Sequence, residues 1–330
     1  MKKDMNMHTD WKVTPSIRWI AAAVGIALVS LRTPGLLAAT PAPASPKTFD
    51  SPEQAVEAAI QAAAADDVPA LLLIFGPDAR DLIMSGDPVQ DRKGRAEVAR
   101  LAGEKTTIVK NPSDPHRAML SVGNDGWPYP VPMVEKNGKW MWNAKEGRYE
   151  ILLRHIGANE LDAIAVCRGY VDAQNDYAHA DPDKTGVHQY AQRIISTPGK
   201  HDGLYWKSDA GAPESPIGEA VARALSEGYS KKTEPYHGYY YKVLTAQGKA
   251  APLGKLDYVI RGHMIGGFAL VAWPAKYRVT GVKTFIVSND GVVYEQDLGP
   301  DTAKIAAGMR VYNPDKGWVA TEAEENDDDN

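Results

Sequence analysis

The chain is poor in the features that usually announce a function. A single cysteine, Cys167, stands among 330 residues, so the protein can form no internal disulfide and its cores must hold it together unaided. The sequence contains no Gly-x-Ser-x-Gly, no His-Glu-x-x-His, no Walker loop and no dinucleotide fingerprint, which removes the common hydrolase, zinc-protease and nucleotide-binding signatures. Positive charge is not in excess, since 37 Lys and Arg stand against 42 Asp and Glu; no basic footprint for nucleic acid is present. The apolar run from Trp19 to Leu31 falls short of the about 20 residues a membrane span needs. It has no twin arginine before it and no cysteine near its end, which argues against a lipid-anchored form.

What is present begins with that run. Lys2, Lys3, Lys12 and Arg18 precede it, and Ala38, Ala39 and Ala42 follow, the order of an export signal. The expectation is a signal peptide over residues 1–39 and a periplasmic or secreted protein. Arg32 interrupts the apolar stretch and Leu37 occupies a place where a smaller residue is preferred, so an uncleaved inner-membrane anchor stays open as the alternative. Membrane contact is expected only in that case. Residues 40–48 form a Pro/Ala linker, expected to be extended.

The length suits two domains. Residues 49–146 read as an α+β domain. Ser51-Pro52-Glu53-Gln54 is a capping box with proline at the first helical position, and alanines at 55, 59, 62 and 63 keep helical spacing. A second helix is expected from Pro69 to Phe75, ended by Gly76-Pro77, and a third from Asp91 to Leu101. Strands follow at Thr106–Lys110, Arg117–Val122 and Val131–Asn143, the last folded on Asn137-Gly138, a type I′ turn signal. Residues 147–318 read as a helix-plus-sheet domain. Its helix runs from Arg148 to His179, with a break expected at Gly157 and Asn159 as a new cap. Ala163, Cys167, Tyr170, Gln174 and Tyr177 share an apolar face with Leu161 and Ile164, and Cys167 reads there as a small buried hydrophobe. An irregular loop over 180–206 and a short helix over Ile217–Glu227 come next. Strands are expected at 238–246, 256–261, 267–273, 283–288 and 292–296. Phe268–Trp273, apolar on both faces, is expected to be the most buried. Residues 319–330 form an acidic, solvated tail.

Three stretches carry a resemblance: Tyr239-Tyr240-Tyr241-Lys242-Val243-Leu244-Thr245, Met264-Ile265-Gly266-Gly267-Phe268, and Gly291-Val292-Val293-Tyr294-Glu295-Gln296-Asp297-Leu298-Gly299. Together with Ser85-Gly86-Asp87-Pro88 and the segment Ser196 to Trp206, they resemble the bacterial exported family known as domain of unknown function 2950, from about Phe49 to Trp318. That resemblance implies no reaction and no catalytic residues. The helical pair from Ser51 to Phe75 followed by Gly76-Pro77-Asp78 resembles the nuclear-transport-factor-2-like superfamily, which implies a pocket between helices and a curved sheet. The helix ending Tyr170-Val171-Asp172 and the sheet containing Thr280–Phe285 are similar to the globular part of type IV pilin-like proteins. The processing motif of pilins is missing, and pilus assembly is not implied.

Chemistry is thin. Gly262-His263-Met264-Ile265-Gly266-Gly267 is glycine-rich but feeds a strand, where a phosphate cradle needs a helix N-terminus. His179, Asp181, Asp183 and His188 are the candidate ligands for zinc or another divalent metal, with His201 and Asp202 farther off. Asp181-Pro182-Asp183 is equally a turn former. His237 and His263 could face one another across strands. Asp290, Glu295 and Asp297 invite acid–base readings, although a turn explains the first. Trp127, Trp140, Trp142 and Tyr129 either fill a core or line a pocket. Catalytic residues are unknown and no cofactor is called for. The expectation is a non-enzymatic periplasmic or envelope protein binding a protein partner or small ligand, with an envelope hydrolase or metal-dependent enzyme centred on His179–His188 as the alternative.

Overall fold

In the computed structural model, which describes residues 45–184, 186–207, 214–218, 222 and 235–321, helix α1 (Pro52–Ala64) starts where Ser51 caps it. The Ser51 hydroxyl accepts from the Gln54 N–H at 3.3 Å, and Gln54 Oε1 accepts in return from the Asp50 N–H at 3.2 Å. The box therefore closes one residue earlier than the usual pattern. Asp67 caps α2 (Val68–Phe75), which stops at Gly76 with φ 84°. A 3-10 turn (Pro77–Ala79) and the one-turn α3 (Arg80–Ile83) lead to α4 (Pro88–Glu104). This third long helix is longer than expected. Asp87 accepts from the N–H groups of Val89 and Gln90 ahead of Pro88, a cap that propensity over 91–101 passes by.

Strands β1 (Thr106–Asn111), β2 (Asp114–Val122), β3 (Trp127–Pro128), β4 (Met133–Lys136) and β5 (Lys139–Trp142) form one antiparallel sheet in the order β1-β2-β4-β5, with β3 on β2. Asn137 and Gly138 both have positive φ, 53° and 72°, as the type I′ turn demands. Beyond β5, Phe49 and Trp140 exchange both backbone hydrogen bonds at 2.8 Å. The core between helices and sheet is aromatic. Phe75 lies 5.0 Å and Tyr129 5.7 Å from Trp142, centroid to centroid, and the Trp142 indole N–H donates to the Ala55 carbonyl at 3.2 Å.

Helix α5 (Ala144–Ala180) is 37 residues long. The chain divides into two units, Met1–Ile151 and Leu152–Asn330, with α5 beginning in the first and ending in the second. The expected break at Gly157 does not occur. Glycine in a helix interior costs only about 1 kcal/mol against alanine, and Asn159 is occupied elsewhere. Its amide donates to the Thr280 carbonyl at 2.8 Å, while Glu160 Oε1 accepts from Val282 and Lys283 N–H at 2.8 and 3.0 Å. Leu161 also departs from expectation. It is 62% exposed, off the buried face of Ala163, Cys167, Tyr170, Gln174 and Tyr177.

That face belongs to the same core as a five-stranded antiparallel sheet. The sheet runs β17 (Val319–Ala320), β15 (Val293–Gln296), β14 (Thr284–Ser288), β13 (Ala269–Pro274), β8 (Tyr239–Leu244). Every residue of β13 is buried. The segment 180–206 is not wholly irregular, because β6 (Arg193–Ile195) and β7 (Gly203–Tyr205) pair in parallel. The strand expected over 256–261 is two short pieces, β10 (Leu256–Asp257) on β9 (Ala246–Gln247) and β11 (Val259–Ile260) on β12 (His263–Met264). Tyr258 between them is fully buried, and its burial turns the chain. Unforeseen were α6 (Thr302–Gly308) and β16 (Val311–Tyr312), which pairs with β9 in parallel. The helix expected over 217–227 falls mostly outside the described residues, as do residues 1–44 and 322–330; the tail expected from 319 is corrected at its start, where Val319–Ala320 pair with β15. The chain is mixed α+β. Among the described residues no helix is long and apolar enough to cross a membrane.

Two glycines of α5 make opposite predictions. A Cβ on Gly157 meets nothing within 4 Å, whereas one on Gly147 lies 2.6 Å from Val131 Cγ2 and 3.0 Å from its Cα. Gly157→Ala is expected to stabilise by about 0.5–1 kcal/mol and Gly147→Ala to destabilise, read as midpoints in urea unfolding followed by circular dichroism. Equal shifts for the two would contradict this placement of α5.

Candidate functional site

The residues singled out for chemistry are mostly held by local structure. His179, Asp181, Asp183 and His188 gather at the C-terminal end of α5, where helix carbonyls lack intrahelical partners. His188 Nδ1–H donates to the Ala178 carbonyl at 2.8 Å, and His179 Nδ1–H to the Asn175 carbonyl at 2.7 Å. Their rings stand 6.2 Å apart. Asp181 accepts from the Gly186 N–H at 2.7 Å, closing the turn its sequence suggests. Asp183 takes the His201 Nδ1–H at 2.9 Å, and the His201 ring packs 4.8 Å from Trp206. Among the described residues no group of three or more His, Cys, Asp or Glu is placed to hold a metal ion.

His237 and His263 take separate partners. His237 pairs with Asp162 at 2.6 Å, and His263 donates to Gln189 at 3.0 Å. The glycine-rich stretch after Arg261 leads through β12 into β13, as expected, with Gly267 at φ 130°. Asp290 closes its turn by accepting from the Val292 N–H and the Ser288 hydroxyl. Glu295 pairs with Lys283 at 3.0 Å, and Asp297 accepts from Gly299 N–H and the Tyr277 hydroxyl. Trp140, Trp142 and Tyr129 fill the first unit's core, and burial pushes the Tyr129 hydroxyl up to about 12. Cys167 is wholly buried, and desolvation raises its thiol to about 12. A reactive thiol needs the reverse.

The arrangement that remains open lies on the first unit and involves none of these residues. An open groove of about 550 Å³ runs between α1 and β1. Its floor is Val56 and Ile60 with Ile108; Glu53, Glu57, Gln61 and Thr106 rim it. Val56 is buried and Ile60 and Ile108 half-buried, while the rim is exposed. Backbone hydrogen bonds at the start of α1, then the Ser51 side chain, hold the Glu53 carboxyl below its usual value. Neither Glu53 nor Glu57 makes an ion-pair contact among the described residues, although the charge of Lys110 on β1 also acts on Glu53; Glu57 accepts from Gln61 Nε2 at 3.1 Å. The alanine face of α1 drew sequence reasoning toward the core. The signal for the groove was a second pair at helical spacing, Val56 and Ile60, bordered by glutamates one turn apart.

Residues 46–321 match the protein family described as "Protein of unknown function (DUF2950)". No curated protein and no solved structure matches the chain.

Two expectations test these assignments. His188→Ala should cost about 1 kcal/mol of stability by leaving the Ala178 carbonyl without its donor; stoichiometric zinc in protein purified without added metal would instead make the imidazoles ligands. The raised hydroxyl and thiol values give the second. Where an acid's folded value exceeds its unfolded one, the unfolded state loses its proton first, so stability is intact below the unfolded value and falls as pH rises through that window. Unfolding free energy should therefore decline from roughly pH 9 upward, from the ordinary cysteine and tyrosine values. Cys167 should resist thiol reagents at pH 8 until the protein unfolds. A flat alkaline profile with a rapidly modified thiol would refute the buried placement.

Proposed function

The chain belongs to the DUF2950 family, and we propose that it is a non-enzymatic protein of the periplasm or envelope that binds a protein partner through its first unit. The observation that carries this reading is the α1–β1 groove, an apolar floor rimmed by Glu53 and Glu57. The histidines and carboxylates singled out in the sequence are engaged in turns, hydrogen bonds and ion pairs. The N-terminal pattern of basic, apolar and small residues supports export.

The finer fold assignments stand on the same footing. Two helices against an antiparallel sheet support a nuclear-transport-factor-2-like first unit, and a long helix sharing a core with an antiparallel sheet supports a pilin-like second one. In this chain the interior of the first unit is taken by Phe75, Trp142 and Tyr129. Recognition then moves from the interior to the outer groove.

A photoreactive amino acid at Gln61 in the exported protein should yield one reproducible adduct with an envelope protein in cells. The same residue at Lys304, exposed on α6, should not. Equal capture at both positions, or at neither, would defeat the reading. So would substrate turnover abolished by one side-chain change away from the groove.

A further inference from the structure

We infer that the free edge of β1 accepts an extended basic polypeptide segment as an added strand, with a lysine or arginine of that segment lying against Glu53 and Glu57; the inference rests on the groove being the binding surface. Among the described residues, strand β1 ends the sheet and pairs with β2 alone. The Lys105 carbonyl accepts from the Gly123 N–H at 2.9 Å, and antiparallel pairs alternate between bonded and non-bonded. Thr107 and Val109 therefore bond to β2, while Thr106, Ile108 and Lys110 turn their N–H and C=O groups outward. A row of unpaired backbone groups is what strand addition uses.

Side chains alternate in the same way. Ile108 stands opposite Leu120 and Thr106 opposite Val122, and both partners are buried. Thr106 and Ile108 thus project to the core face, toward α1, as does Lys110 opposite the buried Ala118. The Lys110 charge already acts on Glu53 and leaves Glu57 the freer carboxylate. A strand laid about 4.8 Å beyond β1 places its own core-face side chains over Ile60 and Val56, at the foot of the glutamates. Apolar contact and backbone pairing supply affinity there, and the carboxylates select a cation over an anion. The length of the added strand is bounded, because register shifts between Lys110 and Asn111 and Pro112 follows.

The probe is a fluorescein-labelled heptapeptide of alternating valine and threonine with one central lysine, titrated into the full chain at low salt, beside a copy carrying glutamate instead. The lysine peptide should bind, the glutamate peptide should bind at least about tenfold more weakly, and E53Q/E57Q should weaken binding of the lysine peptide roughly fivefold, the size expected for two exposed ion pairs. Hydrogen exchange should slow at the amides of Thr106, Ile108 and Lys110 when the peptide is present. Ile108→Pro removes an outward donor without touching the β2 ladder and should abolish binding while the circular dichroism stays unchanged. If that variant fails to fold, the exchange pattern of the wild type decides alone. Capture of a partner at Gln61 with no slowing at these amides would overturn strand addition and leave the binding reading standing. Loss of both would overturn both. Slow exchange at these amides without peptide overturns the proposal as well, assigning the edge to a second copy if it depends on protein concentration, or to residues 1–44 if it vanishes on their removal.

Discussion

A strand buried at every position can exist only if both its edges are hydrogen-bonded, since an unpaired peptide group away from water costs what a lost hydrogen bond does. Strand β13 is that strand, and the second unit is arranged to satisfy it. It pairs along its length with β8 and over Ala269–Ala272 with β14, and its faces are covered by other apolar residues, among them those of α5. The tyrosines packed around it bring hydroxyls into the core, and most find partners at the periphery. Tyr239 donates to the Lys283 carbonyl at 2.8 Å and Tyr258 to Gln247 at 3.0 Å. Tyr241 Oη and Thr284 Oγ1 are the buried side-chain atoms without a partner among the described residues, at about 1–3 kcal/mol each. With one cysteine in the chain, this packing holds the unit without an internal disulfide.

Signals that act over a few residues were legible in the sequence. Ser51-Pro52 starts a helix, Asn137-Gly138 makes a hairpin, and Phe268–Trp273 lies in the deepest strand, each because the cause sits beside its effect. Gly157 shows the limit. A local break signal was overridden by Asn159 and Glu160, whose partners lie more than a hundred residues away. The parallel pairs β6–β7 and β16–β9 involve two or three residues each, too few for a period to register.

The candidate site divides the same way. The residues from His179 to His188 were read as a cluster, and they are close in space. Their bonds run largely to backbone carbonyls and to a turn amide, which side-chain identity does not reveal. Only the α1 half of the groove left a signal, in Val56 and Ile60 beside the glutamates; its partner was not legible, because α1 and β1 are separated by some forty residues of other structure and β1 alternates only weakly. Aromatic residues that could have lined a pocket filled the core instead, as burial of a large apolar surface favours.

The two edges of the first sheet differ, and that difference bears on function. At β5 the chain spends Phe49, before the first helix, to complete the pairing of Trp140. At β1 no described segment does the same, although an open edge invites aggregation and proteins commonly blunt it. Partial blunting is present, with Lys110 near the end and a register shift after it. These devices limit how far a strand can extend along β1 but leave Thr106 and Ile108 open, beside the apolar floor of α1. An edge shielded at its end and open beside a charged groove is restricted, which suits an occupant of limited length and particular charge better than indiscriminate pairing.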